Sequence, residues 1–407
     1  MARVEGETSL AIELDGTPFL QLKIFEPPRF FEGFLVGRKY DEVGDIVSRI
    51  CGICPISHMT TALLAIEKAA GIKVGAQTTV LRHVFSLSQI VASHLVHLYM
   101  LAMPDYYGHP GITGMQERFG ASIARFIRMK DVVNRLSGAI GGRALHPVTQ
   151  VPGGFTSLPN PEEFGAILEQ LKSIQQDAEQ VVRDVAQFQF PDFYAPCEHV
   201  VLDRAQEYAI NEGRIVSDRG LDISVDDYQV HFTESEVPYA FAKQSTIGGQ
   251  GIFRVGALAR LNVKFASLQD RTRSLAQEVG LQMPHSNPFY NNLAQSLEVV
   301  DGIEQCIRIL ESTTFEDEEI YASPERGEGG AATEAPRGLL YHWYKISRKG
   351  VVEQAKIVTP TSHNFLAIER DLKELVTQNQ GLEREKLRLL CEQLVRAYDP
   401  CFSCSVH

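Results

Sequence analysis

The chain has 407 residues, 44% of them apolar and 22% charged, with a formal net charge of −12. That composition excludes a disordered chain, a collagen-like chain and a disulfide miniprotein. The acidic balance, with no basic cluster, excludes a general grip on nucleic acid or on anionic lipid.

In chain order, residues 8–25 alternate apolar and polar around Asp15-Gly16, which predicts a β-hairpin. Residues 41–70 read as helix interrupted at Gly52 and Pro55, and helical spacing continues over 76–103 and 116–137. The stretch between Arg82 and Asp105 holds no Lys, Arg, Asp or Glu. It approaches the roughly 20 apolar residues of a membrane span. Its Ser86, Ser88, Gln89, Ser93, His94 and His97 make it a buried core helix, and direct membrane insertion is not expected.

A Gly-rich turn follows at 138–154, then a solvated amphipathic helix over 161–187. Residues 190–255 mix Pro, Gly, aromatic and β-branched residues and read as irregular, with short strands. Helices resume at 256–279 and 288–313. Residues 316–338 are acidic and Gly-rich, the pattern of an exposed loop. A second hairpin spans 339–358 and turns near Lys349-Gly350. Thr361 or Ser362 caps a helix over about 362–378, and another runs 383–397 until Pro400 stops it.

The fold expected is α+β and mostly helical, a central long-helix bundle with small peripheral β-sheets. It divides into segments 1–50, 51–190 (the bundle with the first cysteine pair), 191–255, 256–335 and 336–407 (the second hairpin, the last helices and the second cysteine pair). Met1-Ala2-Arg3-Val4-Glu5 shows no apolar signal-peptide core, so a cytoplasmic location is expected.

Cysteine usage carries the chemistry. The chain has seven cysteines, an odd number that argues against a disulfide framework. Four form two C-x-x-C pairs at opposite ends: Arg49-Ile50-Cys51-Gly52-Ile53-Cys54-Pro55-Ile56-Ser57-His58, and Asp399-Pro400-Cys401-Phe402-Ser403-Cys404-Ser405-Val406-His407. Two such pairs offer four soft anionic ligands, suited to zinc, iron–sulfur or nickel. Zinc ribbons place their pairs about 15–20 residues apart, whereas 346 residues separate Cys54 from Cys401. From spacing alone, a structural zinc, a catalytic metal and a redox dithiol all stay open. Metal ligands must be fixed, so a tail that ends three residues after Cys404 is expected to be ordered by what it binds. Cys197, Cys306 and Cys391 lack paired spacing and read as buried small hydrophobes. His83, His94 and His97 read as packing histidines. The Gly248–Gly256 stretch lacks the strand–turn–helix setting of a dinucleotide site, so this chain is not expected to bind a nicotinamide itself.

The two motifs together resemble those of the nickel–iron hydrogenase large subunit. Arg3-Val4-Glu5-Gly6, Arg29-Phe30-Phe31-Glu32, Ala335-Pro336-Arg337-Gly338 and Thr359-Pro360-Thr361 agree as well. The phrase Lys23-Ile24-Phe25-Glu26-Pro27-Pro28 and the short chain look most like the cytoplasmic, NADP-linked subgroup. The resemblance implies that subunit's fold and the reversible heterolytic cleavage of dihydrogen. It implies nickel bound by Cys51, Cys54, Cys401 and Cys404. Of these, Cys54 and Cys404 bridge to an iron that carries carbon monoxide and cyanide. It implies magnesium held by the Glu32 carboxylate, the Ile357 carbonyl and His407, in a mature form trimmed after that histidine.

Arg337 or the Cys401 sulfur would take the proton, and Glu5, its pKa raised by burial, would relay it. His58 would hydrogen-bond Cys54, Asp399 would orient Arg337, and Pro336 and Thr361 would line the diatomic ligands, the Thr361 hydroxyl donating to a cyanide. Many relatives carry an acidic residue where this chain has Ser93, so support for Arg337 from that side is absent. Implied partners are an iron–sulfur small subunit, flavin- and NADP-binding diaphorase subunits, and a maturation protease with nickel chaperones. The alternatives are a non-catalytic hydrogenase-like subunit of a quinone-reductase-type complex and a four-cysteine zinc scaffold.

Overall fold

The apolar stripes of the sequence fold as helices Pro55–Ala70, Ala76–Val96, Gln116–Gly141 and Asn291–Ser312 in a computed structural model. It describes residues 1–13, 19–205, 207–208, 210–316, 318–320 and 324–407. The last of these helices is central: it packs against Ala76–Val96, Gln175–Ala186, Pro161–Ser173 and Ala257–Lys264. Gly302 sets its distance from Ala76–Val96, because a Cβ there would stand 2.7 Å from Val91 Cγ2. The main apolar core fills the space between these helices. The result is the mostly helical α+β architecture expected, with its sheets at the periphery.

The run Ala76–Tyr106 is long and apolar enough to cross a membrane, yet 78% of its apolar window is buried inside the protein. It is a core helix. It does not run unbroken: after Val96 it widens into an i→i+5 turn over His97–Ala102. The helix expected over 161–187 breaks at Ile174 into Pro161–Ser173 and Gln175–Ala186. Both pieces thereby lay apolar residues, Leu171 and Val181 among them, on the core.

Strands Thr8–Glu13 and Phe19–Ile24 pair antiparallel, as the first hairpin requires; its Asp15-Gly16 tip lies outside the described residues, as does Asp317 of the acidic run. The second hairpin forms as Gly338–Ile346 and Val352–Val358. The exposed loop expected over 316–338 is corrected by the structure. Gly327–Ala335 is a largely buried strand that adds to that hairpin and makes an antiparallel sheet of three. Its glycines serve close packing: a Cβ on Gly329 would stand 2.6 Å from Ala69 N and 2.9 Å from Ala65 O, in the backbone of Pro55–Ala70. Gly composition signals a loop only where nothing presses on the chain.

Ala335 pairs with Gly338, so Pro336-Arg337 is a two-residue turn at the tip of this sheet. The helix expected from 362 begins at Pro360, with Thr359 at its N-cap and Pro at the first position, where a missing N–H costs nothing. Thr361 is thus inside the helix and free for another role.

Candidate metal centre

Each cysteine pair lies at the start of a helix. Cys54 is the residue before Pro55–Ala70, and Cys401 precedes the short helix Phe402–Ser405, which contains Cys404. Backbone contacts bring the two chain ends together. Glu5 and Cys401 form an isolated parallel bridge, the Phe402 N–H donates to Glu5 O at 3.0 Å, and the Arg29 N–H to Val406 O at 3.1 Å. The Arg29 guanidinium ties the two cysteine loops directly, donating to Ile50 O at 2.7 Å and to Ser403 O at 2.6 Å.

The four cysteine sulfurs lie within 4.8 Å of one another, with Cys51–Cys401 at 3.4 Å and Cys54–Cys404 at 3.5 Å. Two sulfurs on one metal, at about 2.3 Å each, stand at most about 4.6 Å apart, and the two close pairs lie well inside that limit. All four residues are buried. Cys51 ionises most readily, because the Cys401, Cys404 and Cys54 thiols all stabilise its thiolate, with Arg337 adding to this. Burial, joined by the thiolate of Cys51, holds Cys401 and Cys404 well above the usual thiol range. Four thiolates here therefore require a bound cation, and binding one releases protons.

Arg337 reaches over the sulfurs from the Pro336-Arg337 turn. Burial would discharge it, but Asp399 and the thiols of Cys401, Cys54 and Cys51 raise its pKa well above the ordinary value. It contacts Asp399 through Nε to the backbone O at 2.8 Å and through Nη2 to Oδ1 at 3.1 Å. Its Nη1 is buried with no hydrogen-bond partner. Asp399 itself has φ +48°, an uncommon left-handed backbone for a non-glycine, held by these contacts. A space of about 10 Å³ adjoins the sulfurs, lined by Cys54, His58, Pro336, Arg337, Thr361 and Cys404 among others. Thr361 Oγ1 accepts the Cys401 N–H at 2.8 Å, which leaves its own proton to donate elsewhere.

His58 is placed differently from expectation. Its Nδ1 meets His342 Nε2 at 3.2 Å, and its link to Cys54 runs through the backbone, N–H to O at 3.3 Å. No ring hydrogen bond to the Cys54 sulfur forms among the described residues. Packing against the sheet strand that carries His342 decides this. Burial brings His58 down to about 3, so the ring is neutral.

Glu5 is half-buried rather than sealed in. Its carboxylate accepts the Ser403 N–H at 3.1 Å and the Ser403 hydroxyl, which in turn lies 4.0 Å from Cys401 Sγ. Ser403 was not singled out in the sequence, where a serine between two cysteines carries no signal. Glu32, Ile357 and His407 do converge: Glu32 Oε1 lies 3.8 Å from His407 Nε2 and accepts the Ile357 N–H at 2.8 Å. The Ile357 contact recorded is thus through its N–H rather than its carbonyl. Burial would raise the Glu32 carboxyl, but His407, the Ile357 N–H and Lys243 outweigh it and bring it down to about 2. Cys197, Cys306 and Cys391 are buried apart from the site, as expected.

Four buried cysteines converging beneath a captive guanidinium define a metal-binding protein. The family profile described as "Nickel-dependent hydrogenase" matches residues 29–124 and 217–407. Sulfhydrogenase 2 subunit alpha of Pyrococcus furiosus is 36% identical over 100% of this chain and 97% of its own length. Sulfhydrogenase 1 subunit alpha of the same organism is 33% identical over 100% and 96%. Among solved structures, an NAD+-reducing [NiFe]-hydrogenase in the H2-reduced state aligns with a TM-score of 0.89 at 24% identity, over 100% of this chain and 98% of that one. The Ni-Fe-Se hydrogenase from D. vulgaris Hildenborough aligns with a TM-score of 0.77 at 20% identity, over 100% and 98%. The chain belongs to the nickel-dependent hydrogenase family, as the catalytic large subunit of a nickel–iron hydrogenase.

Proposed function

We propose that this subunit cleaves dihydrogen in the cytoplasm and passes the electrons to an iron–sulfur partner subunit, then through flavin- and nicotinamide-binding subunits to NADP. The observation that carries the reading is the convergence of all four sulfurs beneath Arg337. Among the described residues this is the one group of at least three metal-type side chains that converges, so onward electron transfer needs a second protein. A nicotinamide as final acceptor draws on the likeness to the NAD+-reducing enzyme. Loading of the site by nickel chaperones and trimming by a maturation protease complete the reading.

Cys51, Cys54, Cys401 and Cys404 would hold the nickel–iron centre, which would polarise dihydrogen and accept its electrons. The donors around the adjoining space suit carbon monoxide and cyanide on the iron: Arg337 Nη1 has no other partner, and the Thr361 proton is uncommitted. Proton movement belongs to the chain itself. Cys401 Sγ takes the proton beneath the charged Arg337, the Ser403 hydroxyl stands between Cys401 and Glu5, and the half-buried Glu5 delivers it outward. Glu32, His407 and Ile357 would hold magnesium, the carboxylate being already ionised.

The test is the infrared spectrum of the purified complex together with dihydrogen-dependent reduction of NADP. Bands of metal-bound carbon monoxide and cyanide with NADPH formed are expected. Bands without NADPH would move the acceptor elsewhere, and neither would overturn the reading.

A further inference from the structure

Two histidines that sequence reading leaves as packing residues are bonded to the machinery beneath Arg337. His94 and His97 stand three positions apart, at the end of one long helix. They face Glu298 and Gln295, three positions apart on the central helix Asn291–Ser312. The bonds run as two rungs: His94 Nε2 to Glu298 Oε2 at 2.7 Å, and His97 Nδ1 to Gln295 Oε1. His97 Nε2 is fixed in turn on Arg396 O at 2.7 Å. Residues three apart share a helix face, so each pair acts as one unit.

Each rung leads to Arg337 by its own route. Gln295 Nε2 donates to Asp399 Oδ2 at 2.9 Å, while Asp399 Oδ1 receives Arg337. Glu298 holds Arg260 through two bonds, at 2.6 and 2.7 Å. Arg260 then donates to Ala335 O and Pro336 O, both at 3.1 Å, and to Glu334 at 2.8 Å. That spends every donor a guanidinium has. The carbonyls it captures belong to the two residues before Arg337, at the tip of a two-residue turn. One turn of the central helix thus fixes the Arg337 side chain through Asp399 and its backbone through Arg260. Every residue in both routes is buried, so no water competes for the bonds. By contrast the Ser93 hydroxyl, on the same long helix, is buried with no partner.

We propose that Gln295 and Glu298 are positioning residues that aim Arg337 at the reacting centre, braced by His97 and His94. The inference rests on the proposed role of Arg337 at a nickel–iron site. A guanidinium displaced by about 1 Å can cost on the order of 10²-fold in rate, so the frame acts on turnover rather than on metal binding.

The test uses the purified holoenzyme complex and a double-mutant cycle. Gln295→Leu is made alone and with Arg337→Lys, and nickel content, thermal unfolding and dihydrogen uptake are measured for each. Gln295→Leu alone is expected to lower kcat by about tenfold or more, the scale of losing an outer-shell partner, with nickel retained. In the Arg337→Lys background the same change is expected to cost less than about twofold, because its target is already altered. An equal loss in both backgrounds overturns the proposal. Glu298→Gln, read in the same cycle, covers the case in which Gln295→Leu does not fold. Loss of nickel from both variants would make the pair a folding element and overturn the proposal too. Wild-type complex without nickel or dihydrogen uptake would fail the reading of the site itself, separately from these outcomes.

Discussion

Cys51 and Cys401 stand 350 positions apart in sequence and 3.4 Å apart at their sulfurs. Arg29 and the Glu5–Cys401 bridge hold the two chain ends together around that meeting. Cys401→Ser keeps the shape but replaces a soft thiolate with a hard hydroxyl. Nickel content and dihydrogen uptake should both fall, uptake by more than about 100-fold, beyond the loss of an outer-shell partner. Elemental analysis beside a gas-uptake assay reads this, and full activity in the variant would contradict it.

Arg337→Lys keeps the charge and removes the planar fork that Asp399 holds through Nε and Nη2. A lysine offers a single compact ammonium in place of the rigid fork that meets Asp399 on one side and presents Nη1 on the other. Turnover is expected to drop by about 10²–10³, the range for losing one preorganised donor. The nickel content should stay unchanged. A variant that retains wild-type kcat would show that the guanidinium geometry is idle.

Asp301 offers a pH test remote from the metal. Burial, aided by Glu298 and Glu304, raises its carboxyl from 3.8 to about 6, despite bonds from the Gln269 N–H and the Gln305 side chain. A raised carboxyl favours the folded state below the unfolded value, and that contribution is lost as pH rises through the folded value. By pH 7 the buried charge costs up to about 3 kcal/mol. Asp301→Asn should therefore stabilise the protein at pH 7 and do little near pH 4. Thermal unfolding at both values checks this; a gap between variant and wild type that does not widen with pH would contradict it.

Gly329 tests the corrected strand. A side chain there meets the backbone of Ala69 and Ala65, which cannot rotate away. Gly329→Val is expected to lower stability by about 3 kcal/mol, the upper range for overpacking. Denaturant or thermal unfolding reads it. A neutral result would mean that Gly327–Ala335 does not lie against the cysteine helix.

The metal site was legible because its signal is local: two C-x-x-C pairs, each readable within ten residues. The long helices were legible for the same reason, since 3.6-residue periodicity is a local property. What escaped depends on distant partners. Gln295, Glu298 and Arg260 look in sequence like the polar face of ordinary helices, and only packing shows them bonded to the Arg337 turn. Ser403 and the Arg29 staple have no spacing signature. The strand Gly327–Ala335 was hidden because glycine serves loops and close contacts alike, and composition cannot separate the two. Thr361 or Ser362 reads as the cap of a helix from about 362, the commonest task of such a residue before a helix, whereas the helix starts two residues earlier, at Pro360, with Thr359 at its N-cap.

The metal held by Cys51, Cys54, Cys401 and Cys404 decides the matter. Elemental analysis of the purified wild-type complex should return about one nickel per chain, as membership of the nickel-dependent family requires. Zinc in place of nickel, or no metal at all, would contradict the hydrogenase reading of this site.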